Sequence, residues 1–143
     1  MRLAWWRDGR WWGLALLAVP VWWGMSHFMP LVAGWPDWRS ALMLVLVAPL
    51  TEEVIFRLGL QDWLQGQRWA QSAFCGVSLA NGMASLLFAA AHLWQHSPLW
   101  SALVLPPGLV FGWCYARWRS IWPGFALHAS YNAGFLWLFI PKG

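Results

Sequence analysis

The feature that most constrains this chain is a series of five apolar stretches, each close to the roughly 20 residues that an α-helix needs to cross a bilayer. They cover about residues 11–33, 39–64, 72–94, 99–116 and 120–140. Inside lipid the backbone must satisfy its own hydrogen bonds, which favours helices over open strands. The sequence therefore predicts a single all-α membrane domain over residues 1–143, built as a bundle of about five transmembrane helices.

Composition agrees with a chain embedded in lipid. Hydrophobic residues make up 60% of the sequence and charged residues only 10%, whereas about a quarter of the residues in a soluble domain are charged. Many of the 16 Trp lie near the ends of apolar stretches, where indole rings anchor a protein at the headgroup level. The net charge of +4 comes from scattered Lys and Arg rather than a basic stripe. The predicted partner is thus the lipid bilayer and not a nucleic acid.

The distribution of Lys and Arg predicts an orientation in the membrane. On alternate sides of the predicted spans, one side holds Arg2, Arg7, Arg10, Arg68, Arg117 and Arg119, and the other holds Arg39 and Lys142. Positively charged residues are concentrated in cytoplasmic loops. We therefore expect the N-terminus in the cytoplasm and the C-terminus outside.

The second apolar stretch contains the densest group of ionisable residues, Glu52, Glu53 and Arg57. Each ionisable group at the centre of a membrane helix costs about 2.5–3.5 kcal/mol on insertion scales. Charge at this depth is a hypothesis of function by default, because the helix must find partners for it in the bundle. Pro49 lies just before the group and predicts a bend or a restart of the helix there.

Helical geometry separates the roles of the two carboxylates. At about 100° per residue, Arg57 lies about 40° around the helix from Glu53 but about 140° from Glu52. Residues four apart on a helix are neighbours. The spacing predicts an ion pair between Glu53 and Arg57, and it leaves Glu52 to face a cavity as a general base.

Two further pairs of residues four apart lie on other stretches. Phe88 and His92 share one face of the third stretch, separated by three alanines that let another helix approach closely. A single histidine of this kind is more often a packing residue. His128 and Asn132 share one face of the fifth stretch, where two polar side chains inside lipid must be hydrogen-bonded.

Taken together, these residues resemble the three main motifs of a known membrane protease family. The motifs are Glu52-Glu53-x-x-x-Arg57, Phe88-x-x-x-His92 and His128-x-x-x-Asn132, and they resemble, in the same order, those of the CAAX-protease and bacteriocin-processing family. The resemblance covers about residues 40–140 and leaves out the first apolar stretch.

This resemblance implies an intramembrane glutamic endopeptidase without a cofactor or a metal. Glu52 and His92 would activate a water molecule, and His128 and Asn132 would donate hydrogen bonds to the oxyanion that forms. The other three motif residues would support them: Glu53, Arg57 and Phe88.

The predicted orientation and the resemblance together suggest a class of substrate. The site would lie in the outer half of the membrane, whereas prenylated CAAX tails lie on the cytoplasmic face. We therefore expect a bacterial inner-membrane protease that cleaves membrane-anchored proteins or peptides near the anchored end, as in C-terminal processing or sorting of exported proteins.

Alternatives from other classes stay open at this point. His92 and His128 could be axial ligands of a haem in a membrane electron carrier, although the charged residues of the second stretch would then have no role. The chain could also be a non-catalytic immunity or assembly factor in which the polar residues only fix helix packing. A zinc protease would require a His-Glu-x-x-His motif or an equivalent ligand set. The sequence has no such motif, although Glu52, His92 and His128 could in principle hold a metal ion.

Small residues in the third and fourth stretches predict packing rather than chemistry. Gly108 and Gly112 form a Gly-x-x-x-Gly motif, which lets helices approach closely and favours packing inside the bundle over a homodimer face. Cys75 and Cys114 lie within apolar stretches, which predicts two free buried thiols rather than a disulfide.

Overall fold

A computed structural model describes residues 4–32 and 34–139 of the chain. Over these residues the architecture is all-α with five helices, which confirms the predicted fold class at this level. Arg2 and Lys142, which contributed to the predicted orientation, lie outside the described residues, as do the predicted span ends at residues 33 and 140. The chain divides into two compact units, one formed by Met1–Leu50 with Phe125–Gly143 and the other by Thr51–Gly124.

Each predicted apolar stretch corresponds to one helix, and the first and third helices are shorter than predicted. Helix α1 is Gly9–Met25, α2 occupies residues 38–65, α3 is Leu79–Ala91, α4 is Pro98–Trp118 and α5 is Trp122–Phe139. Short 3₁₀ turns at Trp5–Arg7, Arg68–Gln71 and His92–Trp94 and a two-stranded hairpin accompany them. The hairpin pairs β1, Ala73–Phe74, with β2, Val77–Ser78, in antiparallel register.

Four of the helices begin at residues whose side chains satisfy the first backbone N–H groups. Asp8 caps α1, Asp37 caps α2, Ser78 caps α3 and Ser97 caps α4. Such short polar side chains are the preferred N-caps because they accept hydrogen bonds that the helix cannot provide itself. Pro98 occupies the first position of α4, where its missing N–H costs nothing.

Helix α2 changes its hydrogen-bonding pattern on both sides of Pro49. The segments Leu42–Val47 and Val54–Gln61 are π-helical, and Ala48–Glu53 between them is α-helical. In a regular α-helix the ring of Pro49 would press against the carbonyl four residues earlier. The π-helical segment widens the preceding turn. The helical backbone thus continues through Pro49 instead of restarting there.

The chain before α3 differs from the prediction. Residues 73–78 form the hairpin, and the third helix begins only at Leu79. Cys75 and Gly76 form the turn with φ angles of 51° and 80°, as a two-residue hairpin requires. Cys75 is therefore exposed, and the prediction of a buried thiol is wrong at this residue, whereas Cys114 is a buried free thiol as predicted.

In the unit Thr51–Gly124, α3 and α4 pack closely at two glycines of α4. A Cβ atom added at Gly108 would lie 3.1 Å from Cδ1 of Phe88. One added at Gly112 would overlap Oδ1 of Asn81 and lie 2.6 Å from Oε1 of Gln61. The Gly-x-x-x-Gly motif therefore makes a close contact between helices of the same chain, as its sequence predicted.

In the other unit, a hydrogen bond and a close contact join α1 and α5. The Tyr131 hydroxyl donates to the Leu14 carbonyl at 2.7 Å. A Cβ atom added at Gly134 would overlap the indole ring of Trp22. Glycine at this position lets the large ring lie against the backbone of α5.

The distribution of polar and apolar side chains fits lipid. In the described part of the chain, one helix, Pro98–Trp118, is long and apolar enough to cross a membrane by length and composition, and Leu79–Trp94 is a shorter apolar helix. Large apolar side chains are exposed on all five helices, while Glu53, Arg57, Gln61, Asn81 and Ser85 are buried. Polar groups inside and apolar groups outside are expected where the surrounding solvent is hydrocarbon.

Candidate active site

The ion pair predicted from the four-residue spacing is present in α2. The Nε atom of Arg57 lies 3.5 Å from Oε2 of Glu53, and both side chains are almost fully buried, at 0% and 1% exposure. A buried pair of this kind is stable only when further contacts compensate for lost hydration. Contacts between Arg57 and α3 provide this compensation.

Arg57 is held against α3 by a hydroxyl and an aromatic ring. Its Nη1 atom donates to Oγ of Ser85 at 3.4 Å. Its guanidinium also lies over the Phe88 ring, 5.4 Å from the ring centroid, where the negative face of the ring attracts a cation. Phe56 packs edge-on against the same ring at 5.2 Å between centroids. Phe88 therefore lies between the Arg57 cation and His92.

A chain of buried hydrogen bonds extends from Ser85 to α4. The Ser85 hydroxyl donates to Oδ1 of Asn81 at 3.0 Å, and Nδ2 of Asn81 donates to the Leu109 carbonyl at 3.0 Å. In parallel, Nε2 of Gln61 donates to the Gly112 carbonyl at 2.8 Å. These amides connect α2 and α3 to the backbone of α4.

Sequence reasoning missed these amide and hydroxyl residues, although the signal was available. Gln61 lies four residues after Arg57, and Asn81 lies four residues before Ser85. Such spacings place each pair on the same helix face. Polar residues on the same helix face as a predicted buried charge are candidates for hydrogen bonds around that charge.

The Glu53 carboxylate also lies against the first turn of α5. A Cβ atom added at Gly124 would be 2.8 Å from Oε2 of Glu53 and 3.2 Å from the Phe111 carbonyl. A carboxylate at the N-terminal end of a helix is favoured by the helix dipole. Glu53 is therefore bound on two sides, by Arg57 and by this helix turn.

Glu52 has a different environment from its neighbour. Both residues belong to the α-helical segment Ala48–Glu53. Glu53 is fully buried, whereas Glu52 is only partly buried. The two adjacent carboxylates are therefore in unlike surroundings, as the helix geometry indicated.

His92 has a ring orientation that the end of α3 determines. Its Nδ1 atom lies 2.8 Å from the Phe88 carbonyl, and its ring is 4.8 Å from the Phe88 ring. The backbone N–H of His92 bonds to carbonyls nearer in the chain, so the side chain satisfies the Phe88 oxygen. A carbonyl can only accept, so Nδ1 must carry the proton. In the neutral ring Nε2 is then the basic nitrogen.

The remaining two predicted residues belong to the other compact unit. His128 is buried, at 5% exposure, and Asn132 is partly buried. The Nδ2 atom of Asn132 donates to the Leu44 carbonyl at 2.9 Å.

Within Thr51–Gly124, the structure brings Glu53, Arg57, Phe88 and His92 into a continuous series of contacts, with Glu52 adjacent in the chain. In the described ranges 4–32 and 34–139, no three His, Cys, Asp or Glu side chains are grouped as ligands for a metal ion.

Comparison with known families identifies the chain at family level. The model of the type II CAAX prenyl endopeptidases, Rce1-like, matches residues 34–134. The chain belongs to the Rce1-like family. Rce1-like proteins are membrane-embedded proteases, so the predicted family, the membrane context and the general class of hydrolase are confirmed. The matched Rce1-like region contains all seven motif residues from Glu52 to Asn132. No curated protein and no solved structure matches the chain.

Proposed function

We propose that this Rce1-like protein is a glutamic endopeptidase that hydrolyses peptide bonds inside the membrane, with Glu52 as the general base. The observation that carries the proposal is the unlike surroundings of the two adjacent carboxylates. Glu53 is fully buried, paired with Arg57 and packed against Gly124. Glu52 is only partly buried. In this proposal Glu53 holds the helix in place and Glu52 acts on water.

His92 is the proposed partner of Glu52 in activating that water. The bond from Nδ1 to the Phe88 carbonyl fixes the ring and favours the tautomer in which Nε2 is basic. A hydrogen bond that fixes the tautomer and the ring plane is what a general base or a water-binding imidazole needs. Phe88 supports this arrangement because its backbone holds the histidine while its ring contacts Arg57.

The proposed reaction needs only water. Glu52 removes a proton from water as the oxygen attacks the carbonyl carbon of the substrate, which gives a tetrahedral intermediate with a negative oxygen. His128 and Asn132 are the proposed donors to that oxygen. Glu52 then gives its proton to the departing amide nitrogen, and the carbon–nitrogen bond breaks. Exclusion of bulk water strengthens each of these polar interactions.

The proposed substrate is a membrane-anchored protein cut near its anchored end, in the inner membrane of a bacterium. All five helices are proposed to cross the bilayer, with the N-terminus in the cytoplasm. The Lys and Arg distribution supports this orientation and with it a site in the outer half of the membrane, which exported proteins reach. A prenylated CAAX peptide is the second candidate, because the chain matches the family of type II CAAX prenyl endopeptidases.

The proposal is tested by cleavage assays in proteoliposomes with two substrates, a tagged exported protein with a C-terminal membrane anchor and a prenylated CAAX peptide. Glu52→Gln should lower kcat/KM by at least about 100-fold, the usual contribution of a general base. Asp62→Asn is the matched control, because it removes a carboxylate on the same helix that pairs with Arg119 near the surface. It should cleave like the wild type.

The outcomes separate the parts of the proposal. Full cleavage by Glu52→Gln would show that the base is another residue. If the prenylated peptide is cut and the exported protein is not, the substrate is a prenylated CAAX peptide, the second candidate. If the wild type cuts neither substrate and shows a Soret band after purification with haem, the electron-carrier alternative is favoured.

A further inference from the structure

The Asn132 side chain bonds to a carbonyl that has lost its donor within α2. In this part of the helix the Ala48 N–H donates to the Met43 carbonyl, five residues earlier. The next bond in the same series would run from residue 49 to the Leu44 carbonyl. Residue 49 is proline, which has no N–H. The Leu44 carbonyl instead accepts from Nδ2 of Asn132 at 2.9 Å.

The hydrogen bond from Asn132 matters because, inside the membrane, water cannot donate to the Leu44 carbonyl in its place. Leu44 lies on an exposed face of α2, which contacts hydrocarbon where α2 crosses the bilayer as proposed, and a backbone carbonyl without a donor is costly inside a membrane. Proline is tolerated in membrane helices where a neighbouring helix supplies the missing hydrogen bond. In this protein the neighbouring helix is α5, and the donor is a residue of the third motif.

We infer that Asn132 is a positioning residue, whose amide replaces the missing Pro49 N–H and fixes the helical turn that leads into Glu52. Pro49 and Glu52 lie three residues apart in the segment Ala48–Glu53. A change in the turn before Pro49 therefore changes the direction from which Glu52 projects. This inference rests on the proposed function of Glu52 and adds a second role to Asn132.

The two roles of Asn132 are chemically compatible. A primary amide has two N–H groups, and the bond to Leu44 uses one of them. The second is available for the oxyanion of the proposed reaction. A substitution of Asn132 removes both donors at once, so a single variant cannot separate the two roles.

A substitution at Pro49 separates the positioning role of Asn132 from its role as an oxyanion donor. Pro49→Ala restores a backbone N–H at residue 49. If the π-helical pattern persists, this N–H donates to the Leu44 carbonyl. If the turn relaxes to a regular α-helix, the Ala48 N–H, four residues after Leu44, donates instead. In both cases Leu44 regains a donor that does not depend on Asn132.

The experiment compares wild type, Asn132→Ala, Pro49→Ala and the double variant in proteoliposomes, by kcat/KM for cleavage and by the unfolding temperature. Asn132→Ala should lower kcat/KM by about 100-fold or more, the usual effect of losing an oxyanion donor, with additional loss from misplacement. It should also lower the unfolding temperature. Pro49→Ala alone should stay within about threefold of the wild-type kcat/KM, because Leu44 then has two possible donors.

The double variant decides the inference. We expect the double variant to have the unfolding temperature of Pro49→Ala and a kcat/KM about tenfold higher than that of Asn132→Ala, since neighbouring residues that share a partner are coupled. The control is Pro20→Ala in the Asn132→Ala background, because Pro20 lies in α1 and its replacement restores no donor to Leu44. Asn132→Ala should lower both quantities as much in the Pro20→Ala background as in the wild type.

The other outcomes are also decisive. Recovery of the unfolding temperature without any recovery of cleavage overturns the positioning role, as does a double variant no better than Asn132→Ala in both measurements. Failure of the proposed function has a different signature, because the wild type then cuts no substrate or Glu52→Gln cuts normally. In that case the unfolding temperatures alone decide whether Asn132 replaces the Pro49 donor.

Discussion

The contact between α3 and α4 predicts that Gly112→Ala is strongly destabilising. The added methyl group would lie 2.6 Å from Cγ of Asn81 and 2.6 Å from Oε1 of Gln61. Both side chains are fully buried and hydrogen-bonded to carbonyls of α4, Leu109 for the first and Gly112 for the second. Neither amide can move aside without breaking its bond.

The magnitude follows from three terms. Forcing a methyl group into a well-packed site costs about 1–3 kcal/mol. Displacing Asn81 leaves buried polar atoms without partners, which costs about 1–3 kcal/mol. The higher helix propensity of alanine over glycine offsets roughly 1 kcal/mol. We therefore expect the free energy of unfolding to fall by about 3 kcal/mol, the middle of the range that these terms span.

The assay is equilibrium unfolding of purified protein in mixed detergent micelles, followed by far-ultraviolet circular dichroism. Gly82→Ala is the control, since Gly82 lies on α3 beside Asn81 and an added Cβ there has no neighbour within 4 Å. It should leave the stability unchanged or raise it by up to about 1 kcal/mol. In an Asn81→Ala background, Gly112→Ala should cost less because its main obstacle is gone. Equal stability of Gly112→Ala and Gly82→Ala would refute the close approach of α3 and α4.

Two further predictions concern charged groups. Arg57→Met should lower the free energy of unfolding by about 3–5 kcal/mol, because Glu53 is left buried without its partner, and the double variant with Glu53→Gln should regain part of that loss in the same assay. Asp37, the N-cap of α2, lies outside the predicted apolar stretches. A side-chain hydrogen bond from Ser40 and a backbone hydrogen bond from Arg39 lower the pKa of Asp37 below its ordinary value of 3.8. A lowered pKa stabilises the folded state above the ordinary value and the effect is lost as the pH falls through the lowered one. The protection factor of the Arg39 amide, which is its exchange rate compared with that of an unstructured peptide at the same pH, should therefore fall as the pH falls through the lowered pKa, and in Asp37→Asn this loss of protection should be absent.

Contacts within one helix could be predicted from the sequence, because helical geometry fixes which residues are neighbours. The Glu53–Arg57 pair and the contact between Phe88 and His92 both follow from a spacing of four residues. The pair is retained even though Arg57 lies in a π-helical segment.

Apart from the close approach at Gly108 and Gly112, contacts between helices could not be predicted in the same way. The bond from Asn81 to the Leu109 carbonyl depends on the rotation and separation of α3 and α4, and no spacing in the sequence encodes these. The exposed position of Cys75 was missed because its neighbours are apolar enough to continue the predicted span, while the turn depends on the positive φ angles of Cys75 and Gly76. The catalytic roles of Glu52, His92, His128 and Asn132 remain predictions.

The location of the Glu53–Arg57 pair on a single helix has a consequence for biogenesis. Where α2 crosses the bilayer as proposed, the ribosome completes it before α3, so Ser85 cannot yet pack against Arg57 when α2 meets the insertion machinery. A pair within one helix forms as soon as that helix does. Two of the three ionised groups at the centre of α2, Glu53 and Arg57, therefore offset each other at insertion. Of the roughly 2.5–3.5 kcal/mol per group, it is chiefly the cost of Glu52 that the flanking apolar residues must offset. The Glu53–Arg57 pairing of the folded protein would thus also help the nascent segment to partition into the bilayer.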